Sequence, residues 1–561
     1  MIFYLIPIAC LGVYAYRRRT KAAYIHAGTT LAVFALLIAV FYYTTYIGRT
    51  GNDGMTMAIT ALIIACLGYM VYLAVKSPKS SGSGKMTTYQ KGTAFRFRAG
   101  NKRLDIHNPF RGILVVGGAG SGKSRTFIYP IIKQSAQQGY TGILYDFKSP
   151  ELVNLAQACY QGTGVRTNVI DFKNVPASQR TNPLAYIDSA MQATNYTQAL
   201  IFNLMPEYIQ KQDFWSRSIL SLFSGTIWYF RKNRPEYATL PHIFAFMFTA
   251  TAKQVIRILS SDREVKGYIS SLAEAIDQGA DKQVAGILGT LKNAIGIYNT
   301  PDIFWLLSEN EVNLNVNDPN DPTMLLIGND SRLSDTYAPL CSLIITVASK
   351  LMNEPGKEKS VIIIDESPTI YLPNFEQIPA TSRSNKIAVV VGAQDISQMK
   401  DKYGLEKAEI LISNLGNQFF GRTTNRETAE RVVKMFGQRE DTVLVEGSST
   451  GRLGKAIGYN SKYSKSQSIQ KRDRVKMQQM TTLNAGEFAG LLAEGGTMEF
   501  LEQIELQEVP QGGGFTERSD YTPITAQMKF EEIYIKMENF IAGSHGESKP
   551  KSTGEISDFD F

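Results

Sequence analysis

The sequence predicts an α/β fold with a parallel sheet, interrupted by a long helical insertion and preceded by membrane-spanning helices. Three observations predict it. Short apolar, β-branched runs end at polar or glycine-rich positions around Val116, Asp146, Asp365 and Gly392, the pattern of strands buried on both faces. The stretch from Ser124 to Val361 is far longer than one strand-to-strand crossover needs, and much of it is apolar at three- and four-residue steps. Three apolar stretches open the chain.

Those stretches run over 2–16, roughly 22–47 and roughly 55–75. A spanning helix needs about 20 apolar residues, so the second and third suffice, while the first is either a span or an interfacial helix. Arg17, Arg18, Arg19 and Lys21 follow the first stretch instead of preceding it, which argues against a cleaved signal peptide. Lys76, Lys79 and Lys85 follow the third. Both basic clusters are expected inside, with two crossings between them and a short outer loop near Gly48–Gly54. The next segment, SPKSSGSGK, has the composition of a flexible linker.

A chain of 561 residues is too long for one ordinary core and implies two or three domains. The net charge of +8 suits contact with nucleic acid or anionic lipid without choosing between them. The four cysteines (Cys10, Cys66, Cys159, Cys341) form no CxxC, so neither a disulfide framework nor a zinc site is expected. His26, His107, His242 and His545 are scattered and read as surface or capping residues.

The sharpest local signal is RGILVVGGAGSGKS, residues 111–124. A buried strand leads into Gly117, Gly118, Ala119, Gly120, Ser121, Gly122, Lys123 and Ser124, which is G-x-x-x-x-G-K-[ST] in its strand–loop–helix context. Backbone N–H groups of such a loop face phosphate oxygens, aided by the positive end of the following helix. Lys123 is expected at the β- and γ-phosphates, Ser124 at Mg²⁺ and Arg125 beside them. The strand TGILYDF ends in Asp146, which is either part of the site or a plain strand end. In SVIIIDESPT, Asp365 is expected to hold the Mg²⁺ shell and Glu366 to polarise the attacking water. KIAVVVG leads to Gln394, a candidate γ-phosphate sensor, and Arg383 precedes it, as either a solvated side chain or a reach into a neighbouring copy.

Within the helical stretch, 213–230 and 281–298 read as amphipathic helices, with Phe214, Trp215, Leu220, Leu222 and Phe223 as core. The Gly-, Ser-, Lys- and Tyr-rich segment 446–476 is either a nucleic-acid contact or a solvated hairpin. The Phe95-Arg96-Phe97-Arg98 run reads as a plain strand. Beyond Pro510 the pattern dissolves, apart from one amphipathic segment at 525–540.

Taken together, GGAGSGKS, YDFKSPEL, Asn182-Pro183-Leu184, VIIIDE and QDISQ with Tyr403-Gly404 resemble the type IV secretion coupling proteins, the TraG/TraD group, and most of all its Bacteroides-like mobilisation branch. The resemblance spans roughly 90–440, and Asn414, Gln418, Thr428 and Ala429 match loosely. It implies a RecA-like P-loop ATPase domain with an inserted all-α domain, using ATP and Mg²⁺, in a hexamer held in the bacterial inner membrane with its ATPase domain in the cytoplasm. The work it implies is delivery of relaxase-bound single-stranded DNA, or of effector proteins, to a type IV secretion channel. It also implies that Asp365 and Glu366 form the Walker B pair, that Arg383 acts in trans and that Gln394 is linked to the γ-phosphate. DFKSPE departs from the family's usual DPKGE-like strand end. The expected organisation is a transmembrane region over 1–76, a linker over 77–90 and a nucleotide-binding domain over 91–184 and 308–510. An all-α insertion covers 185–307, and a largely flexible tail 511–561. The competing readings are an FtsK/HerA-like DNA translocase and a nucleotide-dependent membrane receptor without motor activity.

Overall fold

The computed structural model describes residues 92–450, 461–495, 499–508 and 516–544. The chain divides into two compact units, Met1–Met86 and Thr87–Phe561. The first lies wholly outside the described residues, as does the linker expected at 77–90.

The second unit opens with an antiparallel hairpin, β1 (Phe95–Ala99) and β2 (Lys102–Ile106), in which Arg98 faces Arg103. Strand periodicity turns Phe95 and Phe97 into the core and Arg96 and Arg98 outward. Next come β3 (Ile113–Val116), α1 (Tyr129–Gln137), β4 (Thr141–Asp146), α2 (Glu151–Tyr160) and β5 (Arg166–Asp171). Between β5 and the next strand the chain is helical, with α3 (Ala190–Leu204), α4 (Phe214–Asn233), α5 (Leu240–Thr249), α6 (Ala252–Leu259), α7 (Asp281–Ile295) and α8 (Pro301–Leu306) as its main helices. The sheet resumes with β6 (Thr323–Gly328), α9 (Ser334–Met352), β7 (Ser360–Ile364), β8 (Ile387–Ala393), α10 (Ile396–Tyr403), α11 (Leu405–Asn414), β9 (Asn417–Phe420) and α12 (Arg426–Phe436). A long hairpin, β10 (Gln438–Thr450) with β11 (Ser461–Asp473), follows, then β12 (Glu487–Leu491), β13 (Glu499–Gln503) and α13 (Pro523–Gly543).

Nine strands make one sheet in the order β13-β12-β9-β3-β8-β7-β4-β6-β5. From β9 to β5 the pairs are parallel, whereas β12 pairs antiparallel with both β9 and β13. The sheet is therefore mixed. Alternate residues feed opposite cores. Leu114, Val116, Ile143 and Tyr145 face the core shared with α9 and the helical insertion, while Ile113, Val115 and Leu144 face α1, α2 and the β1–β2 hairpin. Each such fully buried side chain contributes about 1.5–3 kcal/mol. Gly142 has φ +139°, and a Cβ there would lie 1.9 Å from Val361 O, so β4 meets β7 this closely only with glycine.

Asp213 caps α4 through the Ser216 amide at 2.9 Å, and Thr251 forms a capping box with Gln254 on α6. Leu220, Leu222 and Phe223 are core residues of α4, as expected. Phe214 (49% exposed) and Trp215 (42%) are not. They belong to the first turn, next to the Asp213 cap, and burial begins at Ser216.

Two further expectations need correction. The tail after residue 511 was expected to be largely flexible apart from an amphipathic segment at 525–540; that segment lies within α13, which packs on the insertion, with Phe540 5.6 Å from Phe230 and Phe304 4.7 Å from Phe530 between ring centroids. The aromatic and apolar side chains spaced along this helix make the packing possible, and only the surface opposite them could reveal it. The multi-pass inner-membrane location is overturned: among the described residues no helix is long and apolar enough to cross a membrane. The long helices carry charge, for example Arg217, Arg231 and Lys232 on α4. The three apolar stretches that carried the expectation lie outside the described residues.

Candidate nucleotide site

The two strands flanking β3 hold the start of the glycine-rich loop. Val116 pairs with Ala393 on β8 and with Phe420 on β9. Gly117 N then donates to Ala393 O (3.1 Å) and Gly118 N to Arg422 O (2.8 Å). Gly122 has φ +92°, which admits no ordinary side chain, and a Cβ there would also lie 2.9 Å from Leu506 Cδ2. The helix after the loop begins as a π turn, Ser124–Ile128, before continuing as α1. Such turns concentrate at functional sites.

A cavity of about 330 Å³ gathers residues that lie far apart in sequence. Gly118 to Arg125 form one wall, and Asp365, Glu366 and Gln394 come from the ends of β7 and β8. Lys123 Nζ donates to Gly117 O at 2.8 Å and lies 3.7 Å from Glu366 Oε2, both side chains being nearly buried. Burial, with the Glu366 carboxylate beside it, pushes Asp365 up to about 6, while Lys123 pulls the other way. Glu366 has φ 62° and ψ 59°, in the left-handed region, a strained geometry for a residue with a Cβ and common at functional sites.

Asp146 lines the same cavity, but its carboxylate is committed to the backbone. It accepts from Lys148 N (3.0 Å), Leu152 N (2.8 Å) and Val153 N (3.2 Å), and so caps α2. Burial still pushes it up to about 7, against those three hydrogen bonds. Arg125 lines the cavity while its guanidinium turns away, donating from Nε to Gln507 O at 3.1 Å.

Arg383 is not part of this cluster. It lies in the turn before β8, at the amino end of that strand, whereas Gln394 follows its carboxyl end. Arg383 therefore does not share the nucleotide edge with Gln394. Seven residues of extended chain, about 23 Å, separate the two ends, and the Arg383 guanidinium lies 4.0 Å from Glu494. Two cavity-side residues escaped sequence reasoning. Tyr129 donates to the Glu151 carboxylate, and burial reinforced by that bond pushes its phenol well up. Arg422, exposed at the carboxyl end of β9, extends its guanidinium to Ala119 O at 3.4 Å. Its only sequence signal was an arginine two residues beyond an apolar Phe-Phe pair.

The residues fit a Mg²⁺–nucleotide polyphosphate. Ser121 Oγ and Glu366 Oε1 are buried and have no hydrogen-bond partner among the described residues. A lysine, a hydroxyl and two carboxylates converge where the loop amides point.

Residues 73–487 match the profile of the type IV secretory system conjugative DNA transfer family. No curated protein sequence matches the chain. Among solved structures, the chain is similar to the bacterial conjugative coupling protein TrwBdeltaN70 in an unbound monoclinic form. The TM-score is 0.56 at 15% identity, covering 77% of this chain and 93% of that one. TrwB in complex with ADP and Mg²⁺ (TM-score 0.53, 15% identity, 73% and 88% covered) is similar too. So is TrwB with the non-hydrolysable ATP analogue ADPNP (0.53, 14%, 73% and 89%). At these identities the structural likeness establishes a shared α/β fold.

Proposed function

The chain belongs to the type IV secretory system conjugative DNA transfer family, and from that membership we propose that it is a coupling ATPase. In this reading it binds ATP with Mg²⁺ and hydrolyses it to deliver relaxase-bound single-stranded DNA, or effector proteins, to a secretion channel. The observation that carries the reading is the convergence of Lys123, Asp365, Glu366 and Gln394 on one cavity around the phosphate loop. TrwB, of the same fold, is named with ADP and Mg²⁺ and with ADPNP.

The roles follow from position. The loop amides of 118–124 and the Lys123 ammonium hold the β- and γ-phosphates. Ser124 Oγ and Asp365 would hold Mg²⁺, which when bound neutralises charge developing on the phosphates. Glu366 orients and polarises the attacking water, and Gln394 reports the γ-phosphate to α10. Arg383, too far from its own loop, is assigned to a neighbouring copy in a hexameric ring. Residues 91–184 with 308–510 form the nucleotide-binding domain, and 185–307 an all-α domain that meets cargo. The test is ATP turnover by the full chain with and without single-stranded DNA. Turnover that DNA raises and Lys123→Ala abolishes is expected. Nucleotide binding with no turnover under either condition overturns the motor reading.

A further inference from the structure

The Arg96 and Arg98 side chains left unused by the nucleotide site line a second cleft, of about 930 Å³, between the β1–β2 hairpin and α1. Arg103 from β2 and Lys133 from α1 line it too, and among the described residues Glu505 is its one acidic lining residue. Arg98 and Arg103 stand directly opposite each other across the hairpin, an arrangement that is unfavourable without a counter-charge. Among the described residues Arg103 has only Asp105, at 3.7 Å. Arg96, Arg98 and Lys133 make no ion pair among those residues, so the cleft concentrates uncompensated positive charge.

We propose that this cleft binds the phosphodiester backbone of single-stranded nucleic acid. The proposal deepens the coupling reading, on which it rests for the identity of the polyanion. Three features select this occupant. The outer edge of β1 is already used: Arg96 N donates to Gln134 Oε1 (2.8 Å), Arg96 O accepts from Gln134 Nε2 (3.0 Å), Ala94 O accepts from Gln138 Nε2 (3.1 Å) and Arg98 O accepts from Glu505 N (2.9 Å). A peptide therefore cannot add there as a strand, and guanidinium and ammonium groups remain as the recognition elements. Phe97, the aromatic lining residue among the described residues, is buried, so those residues offer no ring to bases and recognise phosphates, independent of sequence. Arg96 and Arg98 lie two residues apart on the exposed face of one strand, about 6.8 Å, so their guanidinium groups can meet successive phosphates of an extended backbone.

The cleft is also tied to the phosphate loop. Lys133 and Gln134 ride on α1, which continues the loop's own helix. The segment that donates from Glu505 N to Arg98 O also donates from Gln507 N to Arg125 O at 3.0 Å. Nucleic acid held here therefore bears on the same helix that carries Lys123 and Ser124.

The experiment titrates a fluorescent deoxythymidine oligonucleotide against the full chain over a range of salt concentrations. It compares the parent with a variant carrying Arg96→Gln, Arg98→Gln, Arg103→Gln and Lys133→Gln. The log–log salt slope is expected to fall by about 0.7 for each phosphate that is no longer neutralised, up to about 2.8 for four, and DNA stimulation of turnover to weaken. A charge-preserving variant, Arg96→Lys with Arg98→Lys and Arg103→Lys, is expected to keep the parent slope, and basal turnover without DNA is expected unchanged in both. An unchanged slope and affinity in the glutamine variant overturns the proposal. So does binding of anionic lipid vesicles or polyglutamate, abolished in that variant, where the oligonucleotide does not bind. Absent turnover in the parent both with and without DNA, by contrast, overturns the coupling reading while the binding titration still decides the cleft.

Discussion

Glu366 offers two separable measurements from one position. Its carboxylate lies 3.7 Å from Lys123 Nζ and pushes Asp365 up, while its backbone is held at φ 62°. Glu366→Gln preserves shape and backbone but removes the charge. Asp365 then loses a like-charged neighbour and ionises more readily, and Lys123 loses a competitor for phosphate. Nucleotide affinity is therefore expected to hold or rise, while turnover falls about 10²- to 10⁴-fold, the usual contribution of a positioned acid–base group. Glu366→Gly makes the same catalytic deletion but relieves the left-handed strain, which costs about 1–3 kcal/mol for a residue with a Cβ. The greater freedom of glycine in the unfolded chain takes back about 0.4–1 kcal/mol. Glu366→Gly is thus expected to unfold about 1 kcal/mol harder than Glu366→Gln. Phosphate release, fluorescent-nucleotide titration and urea unfolding read these quantities. Parent-rate turnover by Glu366→Gln refutes the assignment of the attacking water to this carboxylate, and a glycine variant less stable than the glutamine variant refutes the strain.

Three other outcomes are expected. The rise of Asp146 from 3.8 to about 7 corresponds to about 4 kcal/mol. Because the folded value is the higher one, that stability is fully present below pH ~4 and is lost as pH rises through about 7; Asp146→Asn is expected to flatten this part of the profile in urea titrations, leaving the same-signed share of Asp365, and an unchanged slope contradicts it. Arg383→Ala is expected to bind nucleotide but not turn it over, and mixing it with Lys123→Ala chains to recover activity; mixed rings of folded mutants that stay inactive rule out action across copies. Phe540→Ala is expected to cost about 2–3 kcal/mol of stability and to speed proteolysis at 516–522 while nucleotide binding is kept, since Phe540 packs against Phe230 and Tyr237, away from the loop.

Much of the site was legible because its signals are local. The strand ILVV, the glycines after it and Lys123-Ser124 lie within one short segment whose backbone chemistry prescribes a phosphate cradle, and VIIIDE announces its own strand end. β5 and β6 were missed because RTNVID and TMLLIG are brief and flanked by loops, so neither stands out until pairing puts Asp171 beside Gly328. Phe214 and Trp215 were misplaced because helical periodicity describes a whole face, while burial depends on where the neighbouring helices end.

The sequence by itself determined the phosphate loop, the acidic strand end, the helical insertion and the family, since each depends on residues close together or on motif order. Tertiary structure alone decided which distant groups meet. Arg422 reaches Ala119 across 303 residues, Asp146 spends its carboxylate on two amides of α2 and on Lys148 N before it, and Arg383 falls at the opposite end of β8 from Gln394. The physical reason is strand order: β3 lies between β8 and β9, partners from far along the chain, and only that order settles which strand ends share an edge.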